Sequence, residues 1–203
     1  MTALKARAAL LSCAILSLGA CGDGAPGART PSPGVIELSE QFSADFALVD
    51  QDGKVMRDED LNGRAAIVYF GFASCPDVCP LALGRLSAAL NELTPAELER
   101  LEPLFITVDP DRDTVDALKR YLAFDTRITG LTGDRVAVEA AKAGFKVFAE
   151  PEPVEDSKLG YTMQHSSLFY LVEPDGALRY ALEDTLDPAA LAAEIRKALK
   201  RKR

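Results

Sequence analysis

Ala65-Ala66-Ile67-Val68-Tyr69-Phe70-Gly71-Phe72-Ala73-Ser74-Cys75-Pro76-Asp77-Val78-Cys79-Pro80 joins two signals. Residues 65–70 form a short apolar run with β-branched and aromatic members, the pattern of a strand buried on both faces. Two cysteines follow at once, spaced C-x-x-x-C. Open α/β sheets hold ligands in the loops at the carboxyl ends of their parallel strands, so this pair stands where chemistry is expected.

Working outward, residues 46–49, Asp52-Gly53 and residues 54–56 read as a β-hairpin. Residues 81–93 carry apolar side chains at helical spacing. Residues 104–108 read as a second buried strand, closed by Asp109-Pro110. A helix over 114–124 takes Asp113 or Thr114 as its cap. Another over 135–143 is expected to end at Gly144, with a short strand at 145–149. Residues 167–172, the turn Pro174-Asp175-Gly176 and residues 177–182 form a strand–turn–strand unit. Asp187-Pro188 opens a last helix running to about Lys200. Strands alternating with helices argue for parallel pairing in the middle, and the closing hairpin for antiparallel pairing at the end. The expected class is α/β: a thioredoxin-like fold with an N-terminal β-hairpin extension.

The 203-residue chain is 48% hydrophobic and 27% charged, ordinary globular usage with enough apolar side chains for a core. Its formal charge is −8, and the first 20 residues contribute only Lys5 and Arg7. So acidic a domain repels phosphates, which excludes nucleic acid as a natural partner. The basic end, Arg196-Lys197 and Lys200 to Arg203, fits the C-terminal pole of a helix, where cations are favoured.

Residues 1–20 read as an export signal: Lys5 and Arg7, then an apolar stretch over 8–18 too short to span a bilayer. Leu18-Gly19-Ala20-Cys21 resembles the lipobox of bacterial lipoproteins, which implies lipidation of Cys21 and cleavage before it. The expected layout is a signal peptide over 1–20, a lipid anchor and flexible tether over 21–41, and the folded domain over 42–203. Lipidation would anchor the domain to a membrane without spanning it, on the periplasmic side of a bacterial membrane, the inner one by preference. Cys13 is then removed and Cys21 consumed. Cys75 and Cys79 remain, in an oxidising compartment, as a structural bridge, a redox couple or a metal site.

On a continuous helix, residues i and i+4 share a face, with Cα atoms about 6 Å apart. That spacing suits a disulfide or two thiolates on one metal. Pro80 in a helix begun at Pro76 would clash with the carbonyl four residues back. The expectation is therefore a turn holding both sulfurs, with the helix starting near Pro80. Two thiolates are soft donors that favour Cu(I) or Zn(II). Structural zinc normally takes four protein ligands, whereas two cysteines and the chain's only histidine, His165, make three, which suits trigonal copper. His165 lies in Tyr161-Thr162-Met163-Gln164-His165, expected as a loop just before a strand. Disulfide-exchanging relatives of this fold carry a cis-proline there. A histidine in its place argues for a metal ligand. Met163 is a further soft donor, though filling a core gap is its more ordinary role.

The chain resembles the Sco/SenC family of copper chaperones, which serve cytochrome c oxidase assembly. The resemblance rests on Gly71 to Pro80, on Phe105-Ile106-Thr107-Val108-Asp109-Pro110-Asp111-Arg112-Asp113-Thr114, on Gly130 to Gly133, and on His165 ahead of residues 169–176. It spans about residues 42–198. It implies Cys75, Cys79 and His165 as ligands of a copper ion, Cu(I) or Cu(II), and Asp109 as an acid acting from behind them. Alternatively, Asp109 simply starts a turn before Pro110. It further implies delivery of copper to the CuA centre of oxidase subunit II. Typical members carry a threonine where this chain has Ala73, so that hydroxyl is missing here. The rival reading is a thiol–disulfide oxidoreductase that keeps the oxidase cysteines reduced, with Cys75 the nucleophile. A peroxidase would need an activating threonine that this loop lacks. A structural Cys75–Cys79 disulfide would close too short a loop to stabilise much.

Overall fold

The computed structural model describes residues 32–201 apart from 62 and 156–158. The export signal and Cys21 lie outside the described residues. The strands are β1 (Val35–Glu37), β2 (Ala47–Asp50), β3 (Val55–Arg57), β4 (Ala65–Gly71), β5 (Leu101–Thr107), β6 (Thr129–Thr132), β7 (Ala149–Pro153), β8 (Tyr161–His165), β9 (Leu168–Val172) and β10 (Leu178–Glu183). The helices are α1 (Val78–Asn91), α2 (Pro95–Leu98), α3 (Val115–Tyr121), α4 (Arg135–Phe145) and α5 (Pro188–Lys200). Eight strands form one sheet in the order β1-β10-β9-β4-β5-β6-β2-β3, and β7 and β8 pair separately.

The centre is parallel. β4 pairs with β5 from Ala65↔Leu101 to Gly71↔Thr107, and β5 pairs with β6. β9 runs antiparallel against the other side of β4, and β10 against β9. All seven residues of β4 are buried, as an apolar run covered on both faces must be. Helix α5 packs on α1 and against β4 and β9. The hairpin β2–β3 extends the far edge, with β2 antiparallel to β6. The expected hairpin, central strands and closing strand–turn–strand unit are all present.

Five expectations shift. Helix α1 begins at Val78, not near Pro80. This puts Pro80 in the first turn, where its missing N–H would have had no intrahelical partner. Helix α4 runs through Gly144 to Phe145, and its end is marked by Lys146 in the left-handed region, φ 53°. Gly144 is there for close approach: a Cβ would stand 2.9 Å from Ser43 Oγ and 3.0 Å from Ser43 O. The expected strand over 145–149 lies later, as β7, and the expected loop before β9 is strand β8. The sheet also starts earlier than residue 42, because β1 pairs with β10 inside the stretch read as tether. Among the described residues, no helix is long and apolar enough to cross a membrane.

Candidate metal centre

Three chain segments meet where β4 and β5 end. The turn after β4 is drawn tight by the Cys75 N–H donating to Phe72 O at 3.2 Å. Helix α1 starts after Asp77, whose side chain makes no capping bond. The Cys75 sulfur takes that place: the Cys79 N–H, an orphan donor of the first turn, points to Cys75 Sγ at 3.4 Å. Both cysteines are free thiols, Cys79 buried and Cys75 partly exposed. Gly71 makes room for this arrangement. A Cβ there would lie 2.9 Å from the Phe105 ring, 3.0 Å from Cys79 Sγ and 3.1 Å from the Tyr69 ring.

His165, the last residue of β8, places Nε2 3.6 Å from Cys79 Sγ. Its Nδ1 lies 2.9 Å from Ser166 O. A carbonyl only accepts, so Nδ1 is the donor in that contact and Nε2 is the ring nitrogen left facing the sulfur. The rings of Phe72 and Tyr69 meet the imidazole edge-on at 5.8 and 6.4 Å. Downstream, Tyr69 Oη and Ser167 Oγ share a 2.8 Å hydrogen bond, and Ser167 Oγ donates to Asp184. Burial pushes the Tyr69 phenol above its usual range, so it stays a donor.

The two thiols differ. The Cys79 side chain hydrogen-bonds Cys75 and draws its thiol well below the ordinary value, against the opposing effect of burial; His165 and the backbone N–H groups of Cys79 and Asp77 add to this. Cys79 is pushed up by the same hydrogen bond and by burial. The pair thus sets a partly exposed, acid-shifted thiol over a buried, base-shifted one, the arrangement of a reactive dithiol. Among the described residues, no three His, Cys, Asp or Glu side chains are already closed into a metal-binding group. The contacts here are pairwise.

Of the three residues singled out in the sequence, the structure places Cys79 beside both Cys75 and His165. Met163 packs against the core. Asp109 is 3% exposed and spoken for: it pairs with Arg112 and accepts from Tyr161 Oη at 2.8 Å. The acid that touches the cysteine loop is Asp113, read from sequence as a cap. Its Oδ2 accepts from the Ala73 N–H at 2.9 Å and from Thr107 Oγ1 at 2.7 Å, while Thr114 caps α3. Burial raises the Asp113 carboxyl. Sequence reasoning also passed over Tyr69 and Phe72, since an aromatic residue in an apolar run reads as core, and over Tyr161, which falls in the stretch expected as a loop. Arg112 stood inside the quoted 105–114 segment without a role.

A mixed sheet carrying a dithiol after its central strand, faced by an imidazole from a hairpin outside the sheet, defines a thioredoxin-like domain built to bind or exchange through sulfur. The chain belongs to the SCO1/SenC family, whose model matches residues 36–200. It is 40% identical over 156 residues to the mitochondrial protein SCO2 of Saccharomyces cerevisiae, covering 76% of this chain and 52% of that one. The chain thus spans about half the length of that relative. Bradyrhizobium japonicum ScoI, solved with copper bound, superposes with a TM-score of 0.71 at 33% identity, over 78% of this chain and 99% of that one. BsSco, a member of the Sco family of cytochrome c oxidase assembly proteins in which a disulfide switch was identified, gives 0.61 at 25% identity, over 82% and 99%.

Proposed function

We propose that this chain binds copper through Cys75, Cys79 and His165 and hands it on during cytochrome c oxidase assembly, to the CuA centre of subunit II. One observation carries the reading: His165 Nε2, its ring anchored through Nδ1 to Ser166 O, faces Cys79 Sγ at 3.6 Å. Thiolate and imidazole bonds to a first-row ion such as zinc are about 2.3 and 2.0–2.1 Å. At trigonal to tetrahedral angles, the two donors then stand about 3.6–3.8 Å apart. The observed spacing therefore suits one shared ion, and two sulfurs with one imidazole are a donor set soft enough for copper. The copper-bound Bradyrhizobium relative supports the same choice.

Copper is the cargo. The chain's own work is to hold two sulfurs and a ring nitrogen at fixed spacing, shelter Cys79, and leave Cys75 within reach of an acceptor. Export, lipidation of Cys21 and a tether would keep the domain at the periplasmic face of a membrane, near such an acceptor. The test is copper titration of the reduced protein beside Cys75→Ser, Cys79→Ser and His165→Ala. Uptake by the wild type and its loss in the cysteine variants are expected. Equal uptake by all four ends the proposal.

A second reading has its own support. The depressed Cys75 thiol and its greater exposure suit a reductase of acceptor disulfides. Reduction of an acceptor disulfide by metal-free protein, abolished in Cys75→Ser, would favour it.

A further inference from the structure

We propose that Arg112, braced by Asp109, is a positioning residue: it clasps Tyr161 and so turns the His165 face of β8 toward the two sulfurs. The inference rests on the copper reading for the use made of His165, and on geometry alone for how the ring is held.

The hairpin β7–β8 pairs only with itself, from Ala149↔His165 to Pro153↔Tyr161. A two-stranded ribbon is marginal in water without support. Its orientation must come from what it touches. Side chains alternate along a strand, so Tyr161, Met163 and His165 share one face of β8. Whatever fixes Tyr161 therefore fixes which face carries the imidazole.

Tyr161 is held at three points. Its Oη donates to Asp109 Oδ1 at 2.8 Å. Its carbonyl accepts from Arg112 Nη1 at 2.8 Å. Its ring lies under the Arg112 guanidinium, 3.8 Å from centroid to Cζ. Arg112 is in turn paired through Nε with Asp109 Oδ2. The same guanidinium faces Phe72 at 5.9 Å, and Phe72 is the ring that meets His165 edge-on. Arg112 thus touches the hairpin on one side and the cysteine loop on the other.

The clasp is continuous with the loop. The Asp109 N–H donates to Thr107 Oγ1 at 2.9 Å, Thr107 Oγ1 donates to Asp113, and Asp113 accepts from the Ala73 N–H. One buried chain of hydrogen bonds at the end of β5 therefore references both halves of the site, sulfurs and ring, to the same strand. A lysine could replace the charge but not the flat fork that bonds a carboxylate and a carbonyl while covering a ring.

The test uses the reduced full chain with Arg112→Ala, Arg112→Lys and Tyr161→Phe. Arg135→Ala serves as control, because Arg135 pairs with Asp111 in the same turn but on the exposed surface. In metal-free protein, cross-relaxation between the His165 and Phe72 rings is expected in the wild type and the control, and lost in Arg112→Ala. On copper titration, Arg112→Ala is expected to weaken the imidazole-dependent species about 10–100-fold, the usual cost of losing a group behind a ligand. It should also lose the nitrogen coupling of the Cu(II) spectrum, as His165→Ala does. Adding Arg112→Ala to His165→Ala should then change copper binding no further, the non-additivity of a residue acting through another. Additive losses, or an Arg112→Ala protein with the wild-type ring contact and spectrum, would overturn the proposal. Should Arg112→Ala fail to fold, Tyr161→Phe and Arg112→Lys decide it by the same readings, with weaker ring contact expected in both and wild-type contact refuting it. A wild type that takes up no copper would end the copper reading, and the ring contact would still decide the clasp.

Discussion

Substituting Gly71 by alanine tests whether the backbone of β4 sets the position of the buried sulfur. The added Cβ would meet Phe105 Cε2 at 2.9 Å, Cys79 Sγ at 3.0 Å and Tyr69 Cε1 at 3.1 Å. Both rings and Cys79, in the first turn of α1, are fully buried, so none of the three neighbours is a loose end that swings away. One extra methyl forced into such a core costs about 1–3 kcal/mol. For a domain of this size that lowers the melting temperature by about 3–9 °C. Because one of the displaced atoms is Cys79 Sγ, copper uptake should weaken in the same variant although no donor has been removed. The control is Gly84→Ala in α1, where nothing lies within 4 Å of the new methyl. Alanine there removes a glycine from a helix interior and should stabilise by about 0.5–1 kcal/mol. The assays are thermal unfolding of the reduced protein and copper titration. A Gly71→Ala protein as stable as the wild type, with unchanged uptake, would refute the claim that this glycine places the sulfur.

Iodoacetamide should label Cys75 before Cys79, with a pH profile displaced to the acid side of an ordinary thiol, because the Cys75 thiol is lowered and Cys79 raised; mass mapping that finds Cys79 labelled first contradicts this. Asp125 is 7% exposed and accepts from Arg127 and from Ser87 Oγ, and the Arg127 side chain is the chief cause that lowers its pKa to about 2. A depressed carboxylate contributes stability that is present above its unfolded value, near 4, and is lost as the pH falls toward 2. That contribution is about 2 kcal/mol. Asp125→Asn should therefore lose about that much at pH 7 in urea unfolding and converge on the wild type by pH 2, and parallel pH curves would exclude the pairing. Lys146 ends α4 in the left-handed region, so Lys146→Gly should raise stability by about 1 kcal/mol, and a lower melting temperature would contradict the strain argument.

What could be read beforehand follows from how far each signal extends along the chain. Residues 65–70 and 104–108 announced buried strands because burial on both faces demands an unbroken apolar run. Cys75, Cys79 and His165 were legible because thiols and imidazole have few alternative uses in a chain with so few of them. Strand β8 was not legible: Tyr161-Thr162-Met163-Gln164-His165 is half exposed and pairs with one neighbour only, so it never needed the apolar pattern of a strand. Gly144 was misread because a glycine that admits Ser43 looks, in sequence, like one that ends a helix. The clasp of Arg112 and Asp109 on Tyr161 spans about fifty residues, and no local rule points across such a gap. Asp113 and Thr114 stood as alternative caps of α3 because Asp and Thr both cap well. Only the fold reveals that Thr114 does so, leaving the acid for Ala73.

The unequal depth of the two cysteines also gives the site a sequence in time. On the copper-carrying reading, an incoming protein meets Cys75 first and has no path to Cys79, which lies beneath the turn against Tyr69 and Gly71. Release would then run from the outside in, with the sheltered sulfur as the last to let go, so the ion leaves only when a new set of donors has already closed around it.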